Sequence, residues 1–206
     1  MKRFFAVTCI LAMALIAPIV RGAVIVVGTH NLLPKTAGQV IQIFVTGGNP
    51  VAGLDFNAQV ADGGPEAGGT MVAPAITKVD LITGTIFQTN NTGPQDPGSV
   101  PQLAIRTITV AHDTVPAEGL IATVTIDTTD FLAGTWTFAL GNTLNGPTDF
   151  GTTPATITDG TITDGTITIV PEPLAGSWVA MAALTLMRRT RRGVKRNRHS
   201  AFDKFR

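Results

Sequence analysis

His30, His112, Ser99 and a scatter of aspartates are the side chains ahead of Pro171 that could take up a proton or attack a carbonyl. Nucleophilic hydrolysis needs an acid–base partner beside the nucleophile. Two histidines and one serine, far apart in the chain, make a triad improbable. His112-Asp113 is an acid–base pair by composition, yet adjacent residues on a strand point to opposite faces and one histidine supplies too few metal ligands, so a surface loop is expected there. Asp127, Asp130 and Asp149 could be brought to the separation of about 5 to 9 Å that glycoside hydrolysis uses, but nothing in their context singles them out. Asp159-Gly160 and Asp164-Gly165 offer oxygen ligands without the full calcium-loop pattern. The glycines from Gly63-Gly64 to Gly68-Gly69 lack the following helix and lysine of a phosphate loop and read as a flexible turn. No catalytic residue, metal ligand or cofactor is assigned.

A second constellation is better ordered. Pro171-Glu172-Pro173 is followed at once by an apolar run, Leu174 to Met187, and then by Arg188, Arg189, Arg191 and Arg192. The prolines end any strand ladder because they lack a donor N–H. As a helix the fourteen residues from Leu174 to Met187 would reach about 21 Å, short of a hydrocarbon core of about 30 Å, which favours transient insertion over permanent spanning. Arginines on the far side keep to the cytoplasm, so the rest of the chain lies outside. At the other end Lys2 and Arg3 precede an apolar run from Phe4 to Val20, with small residues at Val20 and Gly22 suited to signal-peptidase cleavage.

Charge separates these segments from what lies between them. The chain carries +1 overall, but from Ala23 to Met187 three basic residues stand against thirteen acids, a net of about −10. The basic C-terminus, with no interleaved aromatics and an export signal upstream, argues against nucleic-acid binding. Cys9 is the sole cysteine and falls in the leading apolar run, so the body has neither disulfide nor thiolate metal site.

The elements that would position any site are strands. Thr, Val, Ile and Gly dominate the body, Tyr is absent, and apolar runs alternate with Gly, Pro, Asn and Asp clusters. The pattern predicts about nine strands: Val24 to Val27, Gln39 to Thr46, Val51 to Ala61, Ala75 to Leu81, Thr85 to Thr89, Gln102 to Val110, Leu120 to Asp127, Gly134 to Leu140 and Thr161 to Ile169. Ile41, Ile43 and Val45 should face the core, as should Leu120, Ala122, Val124 and Ile126. Trp136, Phe138 and Leu140 share one face and are expected to fill the core rather than form a sugar platform. Ile157-Thr158-Asp159-Gly160-Thr161 is repeated as Ile162-Thr163-Asp164-Gly165-Thr166, a local duplication that lengthens a hairpin or leaves one copy as a loop. The expected fold is an all-β antiparallel sandwich, with segments at 1–22 (signal peptide), 23–169 (sandwich), 170–192 (sorting segment) and 193–206 (basic tail).

Pro171-Glu172-Pro173, Leu174 to Met187 and Arg188 to Arg192 together closely resemble the PEP-CTERM sorting tail. The resemblance implies recognition by a membrane-embedded exosortase, removal of the tail and delivery to the cell surface or exopolysaccharide matrix. The runs Val51 to Val60 and Glu118 to Asp127 resemble strands of cohesin-like and carbohydrate-binding-module-like sandwiches, which implies a cohesin-like jelly roll that binds protein or glycan. The functional expectation is an exported, surface-displayed, non-enzymatic interaction protein whose partners are exosortase and either exopolysaccharide or another surface protein. A carbohydrate-binding module is the alternative, with a secreted polysaccharide-active enzyme behind it.

Overall fold

The structure is a computed structural model that describes residues 22–151 and 161–171. The signal run, the first copy of the duplication up to Gly160, Glu172, Pro173, Leu174 to Met187 and the arginines from Arg188 to Arg192 lie outside the described residues.

Ten strands form two five-stranded sheets. The first holds β1 (Val24–Val26), β3 (Gln39–Thr46), β5 (Ala75–Asp80), β7 (Gly119–Asp127) and β9 (Thr161–Thr163) in the order β5-β7-β3-β1-β9. The second holds β2 (Thr29–Leu32), β4 (Gly53–Val60), β6 (Leu103–Thr109), β8 (Gly134–Ala139) and β10 (Gly165–Ile169) in the order β2-β10-β8-β4-β6. Between them lies one apolar core in which Ile41, Ile43, Val45, Phe56, Val124, Ile126, Phe138 and Leu140 are buried. The alternation on β3 is strict: Ile41, Ile43 and Val45 point inward, and Val40, Gln42, Phe44 and Thr46 are exposed. The all-β sandwich expected from the strand pattern is therefore the fold observed.

Four details differ from expectation. Thr85 to Thr89 is a run of turns, because the Thr85 hydroxyl donates to the Leu81 carbonyl at 2.6 Å and accepts the Phe87 N–H at 3.2 Å. That local bonding competes with a strand ladder and drops Phe87 into the core. On β7 the register shifts opposite Ile43/Phe44, so Ile121 as well as Ala122 turns inward and Leu120 is only half-buried. Thr29 to Leu32 forms a strand that its polar Thr-His-Asn start concealed. Finally, Thr161 to Ile169 is two strands in different sheets, broken at Asp164.

This last break places the second copy of the duplication at a crossing between the sheets. β1 and β2 cross from the first sheet to the second at Gly28, and β9 and β10 make the same crossing beside them, paired in parallel throughout. The remaining strand pairings are antiparallel. At the crossing the Asp164 carboxylate accepts the N–H groups of Leu140 and Gly141 at 2.8 and 2.7 Å. Thr156 to Thr163 and Thr161 to Thr168 are identical in sequence, so a five-residue slip would preserve every residue but one. That one is decisive: the slip would put Asp164 where Ile169 sits at 2% exposure, and burying an unpaired carboxylate costs more than the repeat can return.

Gly165 has no room for a side chain, since a Cβ there would lie 2.0 Å from the Gly28 carbonyl oxygen. A Cβ at Gly151 would meet nothing closer than 3.7 Å. Gly165→Ala is therefore expected to lower the urea midpoint severely, by several kcal/mol in stability, while Gly151→Ala leaves it within about 0.5 kcal/mol.

Candidate functional site

Polar side chains first tested as chemistry turn out to hold the backbone. His30 stands on β2 with Nε2 2.7 Å from the Val27 carbonyl and its ring edge-on to Phe138. Ser99 donates to Asp96 at 2.9 Å and accepts from Arg106 Nη1 at 2.8 Å, and Arg106 also pairs with Asp96. These contacts tie the loop before β6 to the strand and bring no histidine to the serine. His112 and Asp113 are exposed in a loop, as expected, whose N–H groups at Ala111 and His112 are held by the Asn90 side chain at 3.0 and 2.9 Å.

The three candidate carboxylates are not brought together as a catalytic set. Asp127 closes β7 in the first sheet, where its oxygen accepts the Thr129 hydroxyl and N–H, contacts that hold its carboxyl below the usual range. Asp130 is exposed beyond it. Asp149 belongs to the other side of the sandwich, exchanging backbone bonds of 2.7 and 2.9 Å with Asp55 on β4. Among the described residues no group of three or more His, Cys, Asp or Glu side chains could hold a metal ion.

The Gly63–Gly69 segment is a turn, as expected, with one 3-10 turn at Pro65–Ala67 and its ends bonded to Asp62. Asp62 accepts N–H groups from Gly64, Thr70 and Met71, and these donors, Thr70 foremost, lower its pKa. Gly69 is required because a Cβ would come 2.5 Å from the Asp62 carboxylate. Asp80 does the same work after β5, where N–H groups of Thr83 and Ile82 and the Thr83 hydroxyl draw its pKa down to about 2. Asp62 stands in a turn legible from its Asp-Gly-Gly-Pro sequence, whereas Asp80 falls in a run that reads as strand. The signal was present, since a carboxylate two residues before a free N–H is the Asx-turn pattern.

The outer faces of the two sheets differ. The outer side of β4 is covered: Thr148 Oγ1 accepts the Asn57 N–H at 3.0 Å, Asn57 Nδ2 donates to the Pro147 carbonyl at 3.1 Å, and Gln59 Oε1 accepts the Leu144 N–H at 2.7 Å. Asn57, Gln59 and Thr148 are consequently buried. Against the first sheet Val24, Val26, Val40 and Phe44 are exposed, with Phe44 in register with Leu120 and Val24 with Thr46. Phe44 is the one exposed large aromatic among the described residues. Trp136 is part of the core edge, stacked edge-on against Phe131 at 5.2 Å with its N–H on the Val72 carbonyl at 3.2 Å. It is half-buried and packs against the core, as expected of its strand face. The open face is therefore apolar and flanked by threonines.

Two outcomes follow from the loops. Asp80 has a depressed pKa, so its contribution is present above the unfolded value of 3.8 and is lost as pH falls toward 2. Acid titration of stability should show a loss of at most about 2 kcal/mol in that window that is absent in Asp80→Asn. Gln102 is buried with Nε2 unpartnered among the described residues. Gln102→Met, which removes that orphan donor at similar volume, is expected to raise the stability measured by urea titration by about 1 kcal/mol.

No protein-family model matches the chain, and no curated protein matches it in sequence. Solved structures do match. The third cohesin of ScaC from Acetivibrio cellulolyticus, crystallised in complex with the ScaB dockerin, superposes with a TM-score of 0.51 at 12% identity over 72% of this chain and 99% of that one. A type I cohesin–dockerin complex from Clostridium thermocellum gives a TM-score of 0.50 at 11% identity over 74% and 96% of the two chains. The described body thus has the cohesin-like β-sandwich fold.

Proposed function

We propose that this chain is an exported, surface-displayed, non-enzymatic interaction protein that offers the outer face of its first sheet to another surface protein in the extracellular matrix. The observation that carries this reading is the asymmetry of the sandwich: one outer face is roofed by its own loop, and the other leaves Val24, Val26, Val40 and Phe44 open. The cohesins that share the fold were crystallised with dockerin partners, and gripping another protein is the comparable use of this scaffold. His30, Asp62, Asp80 and Asp127 bond to nearby backbone groups, which supports a reading as an interaction protein.

Delivery rests on the tail. The Pro171-Glu172-Pro173 motif, the apolar run to Met187 and the arginine cluster Arg188, Arg189, Arg191 and Arg192 make the chain a substrate for an exosortase-type membrane enzyme, which removes the tail after export across the inner membrane. Contact with lipid through Leu174 to Met187 is transient in this reading.

Replacing Pro171, Glu172 and Pro173 by alanine in the native cell is expected to leave an uncleaved, membrane-retained chain. Unchanged size and location would overturn the sorting route. Val26→Asp with Phe44→Asp tests the face itself, because both side chains point away from the core and the pair should shift stability by no more than about 1 kcal/mol. Loss of surface cross-links to the partner with the thermal melt intact is the expected result, and undiminished cross-linking would place the interface elsewhere.

A further inference from the structure

A second group of exposed apolar side chains gathers at one end of the sandwich. Leu33, Met71, Val72, Leu132 and Val170 are each between 48% and 73% exposed. They come from four separate parts of the chain, and short-range bonds hold them at the same end. The Val170 N–H donates to the Leu32 carbonyl at 3.3 Å, the Lys35 N–H donates to the Phe131 carbonyl at 3.0 Å, and Trp136 bridges Phe131 to Val72. The Leu33 loop is rigidly built: Gln39 accepts the Leu33 N–H at 2.6 Å and donates to its carbonyl at 3.0 Å, and the fully buried Thr128 donates to that carbonyl at 2.7 Å.

This end is also where the chain leaves the body. Val170 and Pro171 are followed by Glu172 and Pro173 alone before the apolar run begins at Leu174. Three peptide steps from Pro171 to Leu174 span at most about 11 Å. We propose that the Leu33–Val72–Leu132–Val170 end of the sandwich is a lipid-contacting surface that rests in the bilayer interface while the tail is still attached. It rests on the sorting reading above for the entry of Leu174 to Met187 into the membrane. The occupant is lipid, since a tether this short leaves no room for a protein between the end and a bilayer that holds Leu174. Lys35 is the basic group beside the patch, and the acidic ones are Asp127, Asp130, Asp62, which accepts the Met71 N–H, and Glu66, which lines a cleft with Val72, so contact is apolar in origin and does not need anionic lipid. The opposite end, where β1 begins beside Thr46, is remote from it.

Trp136 sits behind the patch and reports on it. The full chain carrying Trp178→Phe, which leaves Trp136 as the single indole, is to be mixed with phosphatidylcholine vesicles bearing a spin label near the headgroup. Co-sedimentation of the chain together with quenching of Trp136 is the expected result, and Val72→Asp with Leu132→Asp, both exposed and harmless to the core, should abolish the quenching while co-sedimentation persists. Co-sedimentation without quenching of Trp136 would overturn the surface and leave the sorting reading standing. A chain that fails to co-sediment would remove the tail's membrane entry and this surface with it. Dimers detected by sedimentation velocity that are lost in the Val72→Asp, Leu132→Asp chain, with no quenching, would assign the end to a second copy and overturn the lipid contact.

Discussion

Everything else in this molecule depends on a close approach of two backbones, Gly28 and Gly165. There the first and last described segments of the chain, running parallel, step together from one sheet to the other. The Thr166 N–H reaches the Gly28 carbonyl at 2.9 Å and the Val27 N–H reaches the Thr163 carbonyl at 3.0 Å. A sandwich assembled from sheets with no shared strand is held by core packing alone. Two chain segments that run from one sheet into the other, β1 to β2 and β9 to β10, join the sheets covalently and fix the spacing of the core that Phe56, Phe138 and Ile25 fill. The close approach demands glycine, and Asp164 satisfies the two N–H groups that the crossing would otherwise strand.

The same crossing decides what each surface is free to do. By drawing β10 into the second sheet it sets β8 beside β4, and the chain after β8 then folds back as a roof over β4. Among the described residues no loop covers the first sheet, and its period-two alternation leaves valines and a phenylalanine exposed. The crossing also delivers Val170 to the end where the Leu33 and Leu132 loops protrude. The open sheet face and the exit end are thus separate consequences of one topology.

Much of the fold was legible in residue order because period-two alternation is strong wherever one side is buried and the other wet. β3 shows this most plainly. It failed where local chemistry outcompetes pattern: Thr85 bonds its own backbone and turns a β-branched run into a turn, and Thr29-His30-Asn31 looks like a loop although β10 pairs with it for its whole length. The break at Asp164 was hidden because a single long apolar–threonine alternation reads the same whether it serves one sheet or two. Of the candidate site, the exposed loop at His112-Asp113 was legible from its turn residues. The exposed face was not, since a valine outside a sheet and one inside it differ only in what the rest of the chain covers.

Hydrogen exchange of the full chain, read at the Val27 and Thr166 amides, tests the closure most directly. These two amides bridge the strands at the crossing, and the account predicts that they exchange only through global unfolding, as slowly as the amides of β3 and β7 in the core. Exchange at Val27 and Thr166 as fast as in the exposed loop around His112 would contradict it, because the sandwich would then stay shut without its terminal crossing.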